Sequence, residues 1–156
     1  VGRRNALRVV RDILYHQPRN AGTNLEVPLE FLARIQTRKT VSVLVSDFLD
    51  PLPEKPLRQA NHRHDVVAIQ VSDRHEHILP RMGRLALEDA ETGEVLEVNT
   101  RRAGRVFAER RAREQEELEE QFRKLGIDLI RVHTDKPWLR ALKRFFELRE
   151  RRRTRR

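Results

Sequence analysis

Three aspartates carry the best-placed oxygen chemistry in this chain. Asp47 closes the run Thr40-Val41-Ser42-Val43-Leu44-Val45-Ser46, Asp73 follows Val66-Val67-Ala68-Ile69-Gln70-Val71-Ser72, and Asp135 comes shortly after the apolar stretch 127–132. Each run is rich in β-branched residues and too short for a helix, so it reads as a buried strand. In an open parallel sheet ligands bind beyond the carboxyl ends of the strands, where all three aspartates would sit. Thr23 lies on a loop able to approach the same edge as Asp47. Oxygen ligands of this kind suit Mg²⁺ or Mn²⁺. The plainer use of Asp at such places is to cap the helix or turn that follows.

Other constellations are looser. His62, His64, Asp65, His75, Glu76 and His77 offer zinc-type ligands. Their spacing matches no zinc pattern, and there is no His-Glu-x-x-His helix, so they read as surface histidines. Ser46 or Ser72 could be combined on paper with a histidine and an aspartate. No Gly-x-Ser-x-Gly elbow exists to expose a nucleophile, which sets acyl transfer aside. The C-terminal stretch 149–156 holds six Arg and one Glu, more than half of the formal net charge of +9. Such a tail can bind phosphate groups, yet it is more often a solvated helix end. One Trp, one Tyr and six Phe leave few rings for stacking bases, so no specific nucleic-acid reading is expected.

The elements that must position these groups follow from periodicity. Leu7, Val10 and Leu14 recur at helical spacing over residues 5–16 and predict a core-facing helix. A break at 17–24 follows, with Thr23 or Asn24 available as a cap for a second helix over 25–37 that carries Leu25, Leu29, Leu32 and Ile35. The strand at 40–47, a loop with Pro51, Pro53 and Pro56, a short helix at 54–63 and the strand at 66–71 form a strand-helix-strand unit, which favours a parallel sheet. Segments 84–89 and 94–99 flank Ala90-Glu91-Thr92-Gly93 and predict a β-hairpin. A long helix over 101–125 has apolar ends and a charged middle, with Glu109/Arg113, Arg113/Glu117, Glu119/Arg123 and Glu120/Lys124 spaced for ion pairs on a partly solvated arm. Gly126 ends it, a third strand covers 127–132, and Pro137 opens a last helix with Trp138, Leu139, Leu142, Phe145 and Phe146.

Composition bounds the answer. A chain of 156 residues fits one domain and buries roughly 68% of its unfolded surface. The absence of cysteine excludes thiol chemistry and Cys-ligated metal, and fits a reducing, cytoplasmic setting. No apolar run approaches the roughly 20 residues of a membrane span. Of the 33 basic residues, 28 are Arg, spread along the chain. The chain opens on Val1, which suggests a processed form or a piece of something longer.

The order of motifs resembles a known family. Gly22-Thr23-Asn24-Leu25 comes first, then Val43-Leu44-Val45-Ser46-Asp47-Phe48-Leu49-Asp50 and His64-Asp65-Val66-Val67-Ala68-Ile69. Asp73-x-x-Glu76-x-x-Leu79-Pro80-x-x-Gly83, Asp89-x-Glu91-Thr92-Gly93 and Leu142-x-x-Phe145-Phe146-x-x-Arg149 complete the series. Together they resemble the domain of unknown function 58 family, bacterial proteins related to the von Willebrand factor A domain. The resemblance implies an α/β, Rossmann-like partial parallel sheet flanked by helices with an inserted β-hairpin, spanning 1–148, with 149–156 as an Arg-rich tail. It implies a metal-ion-dependent adhesion site in which Thr23 matches the second-loop Thr and Asp47 the third-loop Asp. The Asp-x-Ser-x-Ser loop of that site is missing and would lie upstream of Val1, so Mg²⁺ or Mn²⁺ would be weakly held or absent. The histidines near 75 become substitutions in a family loop, which weakens zinc further. Members often sit beside MoxR-type AAA ATPases, which suggests a non-enzymatic adaptor.

Two further expectations complete the reading. Without the family's first strand, the strand at 40–47 would expose an apolar edge and the chain would self-associate. The alternatives to a binding domain are a divalent-metal phosphatase or nuclease using Asp47 and Asp73, and an electrostatic nucleic-acid binder working through 149–156.

Overall fold

The computed structural model describes residues 2–17, 23–73, 82–88 and 93–154. In chain order the elements are α1 (Arg3–Leu14), α2 (Glu26–Ile35), β1 (Val41–Ser46), α3 (Glu54–Arg63), β2 (Asp65–Ser72), β3 (Arg84–Glu88), β4 (Val95–Asn99), α4 (Thr100–Leu125), β5 (Asp128–His133) and α5 (Trp138–Thr154). β1, β2 and β5 form a parallel sheet in the order β1-β2-β5, with Ser46 level with Gln70 and Ser72 level with His133. β3 and β4 pair antiparallel, Leu85 opposite Val98, as the hairpin inserted between β2 and α4. The parallel sheet expected from the strand-helix-strand pattern and the α/β, Rossmann-like arrangement implied by the family resemblance are therefore present, with helices on both faces of the sheet.

Each face of β2 has its own core. On one side Val66 and Ala68 pack with Leu57 of α3 and with Leu118, Phe122 and Leu125 of α4. On the other, Val67 and Ile69 join Ile130 and Val132 of β5 beneath Leu142 and Phe145 of α5. This double coverage explains the nearly unbroken apolar run in β2. Asn61 locks the first layer together. Its Nδ2 donates to the carbonyls of Leu125 and Gly126 at 3.0 and 3.2 Å, and its Oδ1 accepts from Val66 N–H. Gly126 adopts φ +67, and Ile127 N–H reaches back to Phe122 O at 3.0 Å, so the left-handed cap turns the chain directly from α4 into β5.

Two expectations need correction. α1 is helical as its periodicity predicts, but it is not core-facing. None of its residues is buried, and Leu7, Ile13 and Leu14 are 62%, 70% and 74% exposed. An amphipathic stripe records which face needs cover, and the described residues supply none for this one. The charged middle of α4 is solvated as expected, and Lys124 pairs with Glu120 at 3.2 Å. Glu119, however, turns to Arg131 of β5 at 2.7 Å, and Glu109 to Arg105 at 3.1 Å. The strand beneath α4 offers Glu119 a better-held partner than its own helix does, because Arg131 is also anchored on Gln115 O at 3.2 Å.

Candidate functional site at the carboxyl rim

Because β1, β2 and β5 are parallel, Asp47, Asp73 and Asp135 emerge at one rim of the sheet, as the sequence places them. Their local roles differ. Asp47 is exposed and sits in a tight turn: its Oδ1 accepts from Leu49 N–H and from Ser46 Oγ, both at 3.3 Å, while Ser46 Oγ accepts from Phe48 N–H at 3.1 Å. Gln70 Nε2 donates to Asp47 O at 3.2 Å and ties the turn to β2. Phe48 has φ +56, a left-handed conformation that costs a bulky residue of order 1–3 kcal/mol. Burial of its ring edge-on to Phe122, 5.1 Å between centroids, offsets that cost. Asp73 instead accepts a 2.6 Å bond from Thr134 Oγ1, next to Ser72 Oγ and His133 Nδ1 at 3.1 Å. That carboxylate closes the β2–β5 end of the rim.

Between the 47–52 loop and the middle of α4 lies a cleft of about 440 Å³, reached by Asp47, Asp50, Gln70, Arg110, Arg111 and Glu114. Its floor is polar because the α4-facing side of the sheet changes character along its length. Val66 and Ala68 give way to Gln70, with Arg131 level with Gln70 on β5. Gln70 Oε1 is buried without a partner among the described residues. Since Nε2 is committed to Asp47 O, this oxygen is left as an acceptor. On the wall, Glu114 takes bonds from Arg110 at 2.7 Å and Arg111 at 3.0 Å. The two guanidinium groups hold its carboxyl below the usual carboxylate range. Sequence reasoning missed Gln70 and the Arg110-Arg111-Glu114 group. The available signal was a glutamine interrupting an apolar strand.

Thr23 is exposed, just before α2, where Asn24 rather than Thr23 caps the helix through Glu26 N–H at 2.9 Å. Leu25 packs against the same core cluster as Phe48, but among the described residues no hydrogen bond joins Thr23 to Asp47. The fit to Mg²⁺ or Mn²⁺ follows from this. Thr23 and Asp47 offer at most two of the six oxygens such an ion takes, and Asp47 Oδ1 already serves its own turn. Among the described residues there is no group of three or more His, Asp or Glu able to hold a metal. These residues do not build a complete ion site by themselves.

The histidine reading divides. His62 is exposed, while His75, Glu76 and His77 fall outside the described residues. His64 is not a surface histidine: it is 3% exposed, with Nδ1 3.5 Å from Thr40 Oγ1. It is buried because α3 ends there and the chain turns straight into β2, its N–H bonding to Ala60 O. The Arg-rich stretch divides too. Arg149 is drawn into the body, pairing with Asp65 and, at 3.5 Å, with Asp128, its guanidinium 5.7 Å from the centre of the Phe145 ring. Arg151 is exposed.

A parallel sheet with helices on both faces and polar loops gathered at its carboxyl rim defines an α/β domain of Rossmann-like build. The chain belongs to the family described as "Protein of unknown function DUF58", whose profile matches residues 1–118. Uncharacterized protein Mb1516 of Mycobacterium bovis and Uncharacterized protein Rv1480 of Mycobacterium tuberculosis are each 34% identical to it over 154 residues, covering 96% of this chain and 49% of their own length. Uncharacterized protein MAV169 of Mycobacterium avium is 32% identical over 130 residues, 82% of this chain and 77% of that protein. The chain thus spans about half the length of the first two relatives. No solved structure matches it. Among the described residues no helix is long and apolar enough to cross a membrane.

Proposed function

We propose that this chain is a non-enzymatic protein-interaction domain that engages its partner at the carboxyl rim, around Asp47. The observation that carries this reading is the Asp47 turn itself. An exposed carboxylate stands at the mouth of a polar cleft on a backbone kept in a costly left-handed conformation at Phe48 and braced by Gln70. Strain of that kind persists where the surroundings over-determine it, and it is concentrated at functional sites. The likeness to von Willebrand factor A domains supplies the finer form of the proposal: Asp47 and Thr23 belong to an adhesion-type rim at which Mg²⁺ or Mn²⁺ is weakly held. The proposed partner class, a MoxR-type AAA ATPase, rests on the same likeness by analogy. The alternative, hydrolase use of Asp47 with Asp73, draws on the same rim, where Asp73 Oδ2 accepts from Thr134 Oγ1 at 2.6 Å.

The test is binding of the chain to a MoxR-type ATPase from the same genome, with Mg²⁺ and with chelator, for the wild type and Asp47→Asn. The amide keeps an oxygen acceptor for Leu49 N–H but removes the charge. Binding that falls at least tenfold in Asp47→Asn supports the rim reading, since a buried charge-assisted contact contributes about 1.5–3 kcal/mol. Undiminished binding by the variant overturns it. Mg²⁺-dependent release of phosphate or cleavage of DNA, abolished by Asp47→Asn and by Asp73→Asn, replaces it with the hydrolase.

A further inference from the structure

Gln70 falls on the α4-facing side of β2 by the two-residue alternation that puts Val66 and Ala68 there, so its side chain points into the space between sheet and helix where the cleft lies. It is 6% exposed. Its amide has one favourable orientation: Nε2 donates to Asp47 O at 3.2 Å, and the reverse would set two oxygens against each other. Oε1 is thereby left as a buried acceptor with no partner among the described residues. A buried acceptor is costly to leave unmatched, so a ligand that fills this floor must bring a donor. The charge above the floor narrows the choice. Four carboxylates, Asp47, Asp50, Glu114 and Glu117, line the cleft against the guanidinium groups of Arg110 and Arg111, and both of those are turned onto Glu114. The cleft is thus an acidic place on a chain whose formal net charge is +9.

We propose that this cleft receives an arginine side chain of the partner, whose guanidinium donates to Gln70 Oε1 at the floor and to the carboxylates at the mouth. The proposal rests on the rim reading above and deepens it by naming the chemistry that the partner brings. A guanidinium suits the cleft better than an ammonium does. It is more weakly hydrated, so it gives up less on leaving water for a floor with a single open acceptor. Its planar fork also donates in several directions, so one N–H can reach Oε1 while others face the carboxylates. The volume of about 440 Å³ lies in the range of pockets that take small ligands and admits such a side chain. Displacing water from a polar floor gains affinity only when the ligand supplies a donor of its own, and a guanidinium does. An acidic ligand fits poorly. It would meet Oε1 oxygen to oxygen and Asp47, Asp50 and Glu117 charge to charge, while the two arginines able to balance it are held by Glu114.

The experiment is a ¹H–¹⁵N NMR titration of the 18.5 kDa chain with Nα-acetyl-arginine N-methylamide, to millimolar concentrations, and with the lysine, citrulline and glutamate analogues, the last with Mg²⁺ present. Citrulline keeps the shape of arginine without its charge, and glutamate is the ligand that a divalent ion at the rim would take. The arginine compound is expected to shift the Gln70 side-chain amide together with backbone signals of 47–50 and 110–114. It should bind about threefold more tightly than the lysine compound and about tenfold more tightly than the citrulline compound. Asp50→Asn and Glu117→Gln remove exposed carboxylates and should each weaken it about threefold, in spectra that otherwise match the wild type. Gln70→Leu would also lose the brace to Asp47 O, so the wild-type Gln70 amide signal decides the floor contact. No shift with arginine, shifts that leave the Gln70 amide unmoved, lysine or citrulline binding as tightly as arginine, or undiminished binding by both carboxylate variants would each overturn the proposal. Glutamate with Mg²⁺ binding in place of arginine would overturn it too and leave the rim reading standing. Failure of the rim reading is seen separately, as undiminished ATPase binding by Asp47→Asn.

Discussion

Helices α3 and α1 are both amphipathic, but their apolar faces have opposite fates. α3 leaves no part of Leu57 exposed and buries Ala60 against β2 and α4, whereas α1 leaves Leu7, Val10, Ile13 and Leu14 all more than half exposed. The difference comes from connectivity. α3 is the crossover between adjacent parallel strands and is forced onto the sheet, while α1 connects no two strands among the described residues. Periodicity therefore states a demand for cover, and topology decides whether the demand is met. β1 repeats the contrast within one strand, with Leu44 packed on the α3/α4 side and Val43 open on the α5 side.

The strongest way to break the comparison is to truncate both regions. Phe122→Ala removes a ring that is 1% exposed and also unseats Phe48, so a loss of about 3–5 kcal/mol is expected. Leu7→Ala in α1 should change stability by no more than about 0.5 kcal/mol. Urea denaturation of the two variants checks both. A large loss from Leu7→Ala would mean that α1 is covered in solution and that the contrast is wrong.

The Arg-rich end sharpens the comparison at a smaller scale. Arg149 bridges Asp65 of β2 and Asp128 of β5, the first residues of two neighbouring strands, whereas Arg151, two residues on, is exposed. Arg149→Met leaves two carboxylates without their cation, and should cost about 1–3 kcal/mol in thermal or urea unfolding. Arg151→Met should cost nothing measurable. Equal effects would show that the whole stretch behaves as one solvated tail.

How far these features could be read from the residues depends on the distance over which each is decided. The strands at β1, β2 and β5, the hairpin and the end of α4 at Gly126 follow from local pattern, and all lie within a few residues of where the periodicity places them. The carboxyl-rim position of Asp47, Asp73 and Asp135 follows from the parallel order. What stayed hidden depends on partners far along the chain: Ser72 with His133, Glu119 with Arg131, Arg149 with Asp65. His64 belongs with these, since its burial depends on the turn from α3 into β2 rather than on any property of the segment. Phe48 in a left-handed conformation was invisible too, because only the buried Phe122 ring makes it worthwhile.

The smallest expected effect lies on the solvated stretch of α4, where burial contributes little and charge must act alone. Arg110 and Arg111 lower the Glu114 pKa below its usual 4.5, so the folded chain holds the carboxylate more strongly than the unfolded chain does. The stabilisation is then fully present above the unfolded value near 4.5 and is lost as the pH falls through the lowered folded value. Glu114 is 37% exposed, so salt and water screen the interaction, and a surface pair of this kind contributes less than about 1 kcal/mol. Glu114→Gln should therefore be slightly less stable than the wild type at neutral pH, with the difference shrinking under strong acid and under high salt. Paired melting curves at neutral and acidic pH measure it. A difference that grows as the pH falls would have the wrong sign for a carboxylate held by two guanidinium groups, and would mean that Glu114 acts through packing, as the buried half of the same helix does.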